Sequence, residues 1–311
     1  SLPTSAFIPS NQRMQFSLVT SGCLVSAEQP AVRVPWWSFS KTAIAATALS
    51  LVRDGLVGLD DSVPEGPFTL RQLLRHEAGL ADYGELADYY AAVAQHAAPW
   101  PAEEMLQRLD ATRLRYTPGT GWRYSNVGYL YAVRLIERVS GLELEQALEQ
   151  RLFAPLGVSR VRLARTRADL QDVHMGGSSA YDPGWVYHGL LVGPLDEAAL
   201  CLERLLGGDL LPAWLLREMH SARALGGPIA GRPWLAPGDA LGLMQGTAQG
   251  GQLLSGHTGC GPGSVVAVYR CVQNGKAASC AVFAEGADEG VVEAEAVSRL
   301  TMALAAPADL P

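Results

Sequence analysis

The chain has 311 residues, 48% of them hydrophobic, and a formal net charge of −7. This length exceeds the usual size of one hydrophobic core, so we expect two intertwined lobes. The acidic balance offers no basic surface for nucleic acid, and no run of about 20 uncharged apolar residues predicts a membrane span.

The N-terminus bears on where the protein is located, and the cysteines bear on its redox environment. Residues 1–13 lack the charged start and apolar middle of a signal peptide, which indicates a cytoplasmic protein or one whose signal has been removed. Five widely spaced cysteines favour free thiols. The alternative is one bridge between Cys271 and Cys280, which flank a turn signal at 274–275.

The first motif follows an early strand, predicted at 14–25. It is a Ser-x-x-Lys sequence, Ser38 to Lys41, which opens an apolar, alanine-rich helix that extends to about Asp54. Side chains three residues apart share a helix face, which puts Lys41 beside Ser38. A partly buried lysine can be neutral enough to take the proton of an attacking serine hydroxyl. The alternative is an N-cap serine followed by an exposed lysine.

The second motif lies in a mainly helical part of the chain. Runs rich in Ala, Leu, Glu and Arg predict helices at 70–76, 102–113, 127–140 and 143–153. Just before the third of these come Tyr124, Ser125 and Asn126. A tyrosine beside a serine and a lysine can pass protons, and an asparagine amide can hold the lysine and a substrate carbonyl.

A loop at 181–190 concentrates three aromatic residues, a histidine, a proline and two glycines. This composition predicts a wall of a groove, with Tyr187 and His188 in contact with a ligand. The alternative is a packed turn that seals the two lobes. We expect the loops at 83–100, 177–190 and 225–250 to decide the shape of the pocket.

The third motif is His257-Thr258-Gly259, which precedes a predicted strand. A glycine here lets the backbone approach a substrate. The next main-chain N–H, that of Cys260, can line an oxyanion hole with the N–H of Ser38.

The order of the elements predicts a discontinuous architecture. Residues 264–284 predict two strands around a turn, and 288–305 predict a helix with a mostly apolar face. We expect these elements to pair with the early strand in one α/β lobe, made of 1–54 and 181–311. Residues 55–180 would form a helical lobe, with the groove between the two.

The three motifs, in this chain order, resemble those of the serine β-lactamase and penicillin-binding protein superfamily. The likeness is greater to the branch with class C β-lactamases, D-alanyl-D-alanine carboxypeptidases, and related esterases and D-aminopeptidases. The segments 51–61, 70–80, 155–157 and 256–259 also match, so the resemblance covers about 35–285. It implies an α/β fold in which helices flank an antiparallel sheet, beside a mainly helical lobe.

The resemblance also implies roles for the motif residues. Ser38 would form an acyl-enzyme, Lys41 would be its general base, and Tyr124 would pass the proton to the leaving group or activate the deacylating water. Asn126 would orient Lys41 and a substrate amide or carbonyl. The N–H groups of Ser38 and Cys260 would hold the oxyanion.

His257 stands where β-lactamases proper have a lysine. A histidine with a pKa near 6.5 is mostly neutral at pH 7, so we expect a weaker demand for an anionic substrate. Arg232 and Arg270 are the candidates for a replacement charge. We therefore expect an esterase or a D-amino-acid peptidase or amidase acting on small molecules or peptides. The alternatives are a true β-lactamase and an inactive ligand-binding protein of the same fold.

No cofactor or metal is expected. The chain has no glycine-rich phosphate loop after a strand, and its isolated histidines lack metal-ligand spacing. The resemblance implies a structural role for His76. Asp60, Asp61 and Asp82 are interpreted as turn or helix-end residues rather than as acids.

Overall fold

A large antiparallel sheet with helices on both faces organises the fold. The computed structural model describes residues 14–21, 23–27, 32–177 and 180–305. The strands within these residues are β1 (Gln15–Thr20), β2 (Cys23–Ala27), β3 (Arg33–Pro35), β4 (Ser62–Val63), β5 (Gly66–Thr69), β6 (Arg162–Ala164), β7 (Leu190–Pro194), β8 (Arg223–Ala224), β9 (Trp234–Ala236), β10 (Gly238–Asp239), β11 (Met244–Ala248), β12 (Leu253–Gly261), β13 (Ser264–Gln273) and β14 (Lys276–Glu285). The helices are α1 (Ser40–Arg53), α2 (Leu70–Leu74), α3 (Ala87–Ala94), α4 (Ala102–Arg108), α5 (Asn126–Ser140), α6 (Leu144–Leu148), α7 (Ala154–Leu156), α8 (Leu195–Leu206), α9 (Ala213–His220) and α10 (Glu289–Ala305).

The sheet joins the two ends of the chain. Its strand order is β2-β1-β14-β13-β12-β11-β10-β8, with β9 paired to β11, and the pairings are antiparallel. Two small sheets, β3-β7-β6 and β4-β5, lie outside it. The predicted α/β fold with an antiparallel sheet flanked by helices is confirmed.

The two faces of the sheet bury different helices. Side chains alternate along a strand, so Val266 and Val268 of β13 join the core that contains α1 and α8. Ala267 and Tyr269 point the other way, into a second core closed by α10. The helix therefore covers the face of the sheet opposite to α1.

Leu300→Ala on α10 is expected to lower the free energy of unfolding by about 2–5 kcal/mol, since Leu300 is fully buried against the sheet and truncation leaves a cavity. Urea unfolding measures the change. Met302→Ala, on the same helix but 63% exposed, is the control and should change stability by less than about 0.5 kcal/mol. Equal effects of the two substitutions would contradict the observed packing of α10.

The C-terminal predictions agree with the structure. Strands β13 and β14 meet at Asn274 and Gly275, both with positive φ, as a tight hairpin turn requires. Helix α10 coincides with the predicted helix within one residue. The alternative prediction of a bridge between Cys271 and Cys280 is wrong. Both are free thiols, and they do not lie opposite each other, because Cys271 faces Ala278 across the ladder.

The N-terminal prediction of one strand at 14–25 is wrong. The chain forms two antiparallel strands, β1 and β2, because it reverses at Ser21, which has a φ of +51°. A Ser-Gly pair at 21–22 is a turn signal that interrupts the apolar run. The expectation for residues 1–13 lies outside the described residues.

Two of the predicted helices in the middle of the chain are shorter or more divided than expected. Helix α4 ends at Arg108 rather than 113, where Asp110 adopts a φ of +52°. The run at 143–153 begins as α6 and continues as a π-helical turn, Glu149–Phe153. Helix α5 does match its prediction and ends at Gly141, whose left-handed conformation terminates a helix.

One cluster of buried side chains continues from the sheet through α1 into the helical part, and includes Val268, Leu49 and Ile136. The division into lobes at 54/55 and 180/181 stays a prediction. Among the described helices, none has both the length and the apolar character that a membrane crossing needs.

Candidate active site

Ser38 lies at the junction between α1 and the large sheet. It occupies a 3-10 turn, Trp37–Phe39, that leads directly into α1. Trp37 has a φ of +43°, and its indole N–H donates to Ser264 Oγ at 3.0 Å. This bond ties the turn that contains Ser38 to the start of β13.

The Ser38 hydroxyl has two polar neighbours. Lys41 Nζ lies 3.1 Å from Ser38 Oγ, and the Tyr124 hydroxyl lies 2.8 Å from the same oxygen. Lys41 Nζ also lies 4.7 Å from the centre of the Tyr124 ring. The predicted juxtaposition of Ser38 and Lys41 is present, and Lys41 is fully buried rather than exposed as in the alternative interpretation.

Burial sets the protonation of these groups. Desolvation lowers the pKa of Lys41 to about 7, against the opposing fields of Asp82 and Asp239. Desolvation also raises the pKa of Tyr124, so the phenol stays protonated at neutral pH. A neutral lysine can accept a proton from Ser38 at this distance, and the tyrosine can donate one.

The start of α5 fixes Tyr124 and Asn126. Ser125 is its N-cap: Ser125 Oγ accepts from the N–H of Gly128 and donates to the Ala81 oxygen. The main-chain N–H and the Nδ2 of Asn126 both donate to Asp82 Oδ1, at 2.9 and 3.0 Å. The direct contact predicted between Asn126 and Lys41 is absent from the described hydrogen bonds, in which the Asn126 side chain bonds Asp82 instead.

The His-Thr-Gly motif lies on β12, which passes Ser38 and precedes β13, the strand that was predicted to follow the motif. A Cβ on Gly259 would lie 2.6 Å from Ser38 N, so only glycine allows this approach. His257 Nδ1 donates to the Thr258 oxygen at 2.7 Å, and burial lowers the pKa of His257 to about 3. His257 is therefore neutral, as expected, with Nε2 as an acceptor.

A cavity of about 430 Å³ opens in front of Ser38. Of the predicted site residues, its lining contains Ser38, Tyr124, Asn126, His188, His257, Thr258 and Cys260. Its apolar walls are mainly aromatic and include Trp37, Tyr83, Tyr89, Trp122, Tyr181 and Trp185. Each of the loops expected to shape the pocket, at 83–100, 177–190 and 225–250, contributes residues to this lining. Residues 178–179 lie outside the described residues.

Tyr187 differs from its prediction. Its hydroxyl donates to the Trp100 oxygen at 2.9 Å and its ring packs on Tyr83, so it supports the wall from behind. His76 has the structural role that was expected: its Nδ1 accepts from the N–H of Ser125 at 3.0 Å, in a buried position against the Tyr124 ring.

Two carboxylates of the site were missed by the sequence analysis. Asp82 holds Asn126, and Asp239 of β10 lines the cavity with its Oδ2 accepting from Trp122 Nε1 at 3.1 Å. Burial raises the pKa of Asp82, and raises that of Asp239 to about 8. Asp82 was interpreted as a helix-end residue, and it does cap the turn at 83–85, while Asp239 belongs to no recognisable motif, so nothing in the sequence marked either as part of the site.

The two candidate arginines do not supply a free positive charge. Arg270 pairs with Glu203 and does not line the cavity. Arg232 does line it, but its guanidinium already pairs with Glu293 at 2.6 Å and with Glu289 at 3.3 Å. In the part of the chain that the structure describes, no three His, Cys, Asp or Glu side chains are grouped as metal ligands.

Comparison with known proteins identifies the family. The Beta-lactamase family model matches residues 27–293, which is most of the chain. The chain therefore belongs to the beta-lactamase family, and the resemblance inferred from its motifs is confirmed.

Individual proteins agree with this assignment. Penicillin-binding protein 4* of Bacillus subtilis is 29% identical over 48% of this chain and 34% of its own length. The lovastatin esterase of Penicillium rubens is 29% identical over 47% of this chain and 43% of its own. The matches thus cover less than half the length of these relatives. A solved D-stereospecific amidohydrolase from Streptomyces sp. shares the fold, with a TM-score of 0.73, 22% identity, and coverage of 94% of this chain and 93% of that one.

Proposed function

We propose that the protein is a serine hydrolase that cleaves ester or amide bonds through an acyl-enzyme on Ser38. The observation that carries this proposal is the position of Ser38 Oγ between Lys41 Nζ, at 3.1 Å, and the Tyr124 hydroxyl, at 2.8 Å. A binding protein has no need of an ionisable lysine buried beside a serine.

In the proposed mechanism the proton of Ser38 passes to Lys41 as Oγ attacks the substrate carbonyl carbon. A pKa of about 7 leaves a large fraction of Lys41 neutral at physiological pH and keeps it basic enough to accept the proton. Tyr124 then gives its proton to the leaving group and regains one from Lys41. Water attacks the resulting ester by the reverse route, which releases the acid and restores Ser38.

The oxyanion would be held by the N–H groups of Ser38 and Cys260. A two-residue loop closes β12 on β13 at Gly261 and Ser264, and antiparallel strands alternate the direction of their N–H groups. Cys260 is one residue from this closing pair, so its N–H is directed away from β13. Strand β11 pairs only with Leu253–Gly256 of β12, which leaves that edge open beside Ser38.

Gly259→Ala is expected to lower kcat by about 10²-fold or more, because the new Cβ pushes β12 away from Ser38 N and widens the oxyanion hole. Steady-state hydrolysis of p-nitrophenyl acetate measures the loss. Gly177→Ala is the matched control, since a Cβ there meets open space. Full activity of the Gly259 variant would remove β12 from the mechanism.

The site has no free positive charge among its described lining residues, so binding should not require a carboxylate on the substrate. His257 is neutral, and Arg232 is engaged by two glutamates. An esterase or a D-amino-acid peptidase or amidase is therefore the proposed activity, in line with the names of the esterase and the amidohydrolase to which the chain is similar. Asn126, held by Asp82, would present its amide oxygen to the substrate.

A substrate panel tests this choice. Initial rates are measured with p-nitrophenyl acetate, with D- and L-alanine p-nitroanilide, and with benzylpenicillin. The proposal predicts turnover of the ester or of an anilide, with penicillin the poorest substrate. Penicillin as the best substrate would make the protein a true β-lactamase, and no turnover of any member would favour the ligand-binding alternative.

A further inference from the structure

Glu293 of α10 is a fully buried carboxylate that lies behind one end of the cavity. Arg232 donates to both of its oxygens, from Nε to Oε1 at 2.6 Å and from Nη2 to Oε2 at 2.8 Å. Thr258 Oγ1 donates to Oε2 at 2.6 Å, and Trp234 Nε1 donates to the same oxygen at 2.8 Å. Four donor groups from three residues therefore converge on one carboxylate.

Two of the residues that hold Glu293 belong to the wall of the cavity. Arg232 and Thr258 both line it, together with Ser38. A guanidinium group binds a carboxylate through two N–H groups, and a threonine hydroxyl adds a third donor. Arg232 and Thr258 are thus the groups at this end of the cavity that a carboxylate on a substrate would use.

Glu293 leaves neither of these donors free. A hydroxyl has one hydrogen, and that of Thr258 is directed to Glu293, with the Tyr269 hydroxyl 2.6 Å from the same oxygen. Arg232 uses Nε and Nη2 on Glu293, and Glu289 lies 3.3 Å from its Nη2. The donor set is already filled by carboxylates of the protein itself.

The charges at this end of the cavity also oppose an anion. Glu289 and Glu293 lie one helical turn apart on α10, so both face the single guanidinium of Arg232. Burial lowers the pKa of His257 to about 3, so this histidine adds no positive charge. A substrate carboxylate would lose its hydration here and meet an excess of negative charge.

We propose that Glu293 fills the anion-binding position of this cavity from within the protein, and thereby restricts the enzyme to substrates without a carboxylate at this end. Glu293 determines specificity through Arg232 and Thr258 and does not touch the substrate. This inference rests on the proposed hydrolase function of the same cavity. Within that function it favours an esterase or an amidase and opposes a peptidase that requires a free carboxylate beside the scissile bond.

Removal of the internal carboxylates should open the position to an external one. Glu293→Gln keeps the size of the side chain and an oxygen acceptor, and it removes the charge that neutralises Arg232. Glu289→Gln removes the second carboxylate at a partly exposed position that lines the cavity. The double variant leaves Arg232 without either of these two partners.

The kinetic test compares 4-acetoxybenzoate with 4-acetoxybenzamide, two aryl acetates whose para group is a carboxylate in one and an amide in the other. The measured quantity is the kcat/KM for the anion divided by that for the amide, at pH 7. This ratio is expected to rise about tenfold in each single variant and about a hundredfold in the double variant, because specificity is a difference between two binding free energies. A double variant whose ratio stays within about threefold of the wild type overturns the proposal.

The control for net charge is Glu295→Gln. Glu295 lies on the same helix, pairs with Arg299 and does not line the cavity. Its ratio should stay within about threefold of the wild type, since salt screens a distant exposed charge. An equal rise in the Glu295 variant and in the Glu293 variant overturns the assignment to Glu293.

A binding measurement does not depend on turnover or on the folding of a variant. Benzoate and benzamide are titrated at pH 7 and followed by tryptophan fluorescence, because Trp37, Trp122 and Trp185 line the cavity. The wild type is expected to bind benzamide at least about tenfold more tightly than benzoate, and the double variant should reverse this order. Benzoate binding to the wild type as tightly as benzamide, or more tightly, overturns the proposal.

The result is separable from the proposed function. An inactive protein in which the substitutions reverse the order of benzoate and benzamide overturns the hydrolase and retains the role of Glu293. A hydrolase that depends on Ser38 and whose ratio does not respond to Glu293 overturns this role alone.

Discussion

Ser38→Ala is expected to reduce kcat for p-nitrophenyl acetate by at least about 10⁴-fold, because removal of the nucleophile removes the acyl-enzyme route altogether. The neighbouring hydroxyl of Tyr124 does not replace it, because burial raises the pKa of Tyr124 and holds it protonated. The measurement is the rate of p-nitrophenol release at saturating substrate, after the rate of uncatalysed hydrolysis has been subtracted.

The control for this substitution is Ser62→Ala, which alters an exposed serine in β4 and should leave kcat unchanged. The far-UV circular dichroism of the Ser38 variant should match that of the wild type, since the described hydrogen bonds of the Ser38 side chain join it to the side chains of Lys41 and Tyr124 and to no helix or strand backbone. A Ser38 variant with more than a tenth of wild-type kcat would contradict the acyl-enzyme.

Lys41→Met is expected to lower kcat/KM by about 10³-fold, within the range measured for loss of a general base. It should also stabilise the fold. The pKa of Lys41 falls from 10.5 to about 7 on folding, so the unfolded chain binds more protons and stability is lost as the pH drops from 10.5 towards 7. Methionine fills the same space without the cost of deprotonating a buried amine. The free energy of unfolding at pH 7 should therefore rise by about 2–4 kcal/mol.

The pH dependence of the wild-type enzyme checks the same assignment. Activity should fall as the pH drops through about 7, because protonated Lys41 cannot accept a proton. His257 does not explain such a limb, since its pKa is about 3. Asp82→Asn should move the limb to lower pH, because Asp82 supplies the larger of the two carboxylate fields that raise the pKa of Lys41. A limb that stays in place, or a Lys41 variant less stable than the wild type, would contradict the burial argument.

Local features of the site could be predicted from the sequence. The contact between Ser38 and Lys41 was predictable because one helical turn brings side chains three residues apart onto the same face. The structure shows that Ser38 lies in a 3-10 turn that leads into α1. The hairpin of β13 and β14 was predictable for a similar reason, since Asn274 and Gly275 favour the positive φ that its turn requires.

Features that depend on tertiary packing were not predictable. Asp82 and Asp239 resemble ordinary turn residues in the sequence, and only burial beside Lys41 gives them raised pKa values. Asn126 was expected to hold Lys41 but bonds Asp82, which is 44 residues away along the chain. Tyr187 was expected to touch ligand, yet its hydroxyl bonds the Trp100 oxygen, a contact that no local pattern contains.

Intact-mass spectrometry after exposure to an alkyl fluorophosphonate shows whether Ser38 is the nucleophile of the protein. The serine oxygen attacks phosphorus and fluoride leaves, so an activated serine gains one phosphonyl group and stays labelled. We expect one adduct on the wild-type protein, located on Ser38 by peptide mapping, slow labelling of Lys41→Met, and no adduct on Ser38→Ala. An unlabelled wild type, or an adduct that persists in Ser38→Ala, would show that Ser38 is not the nucleophile.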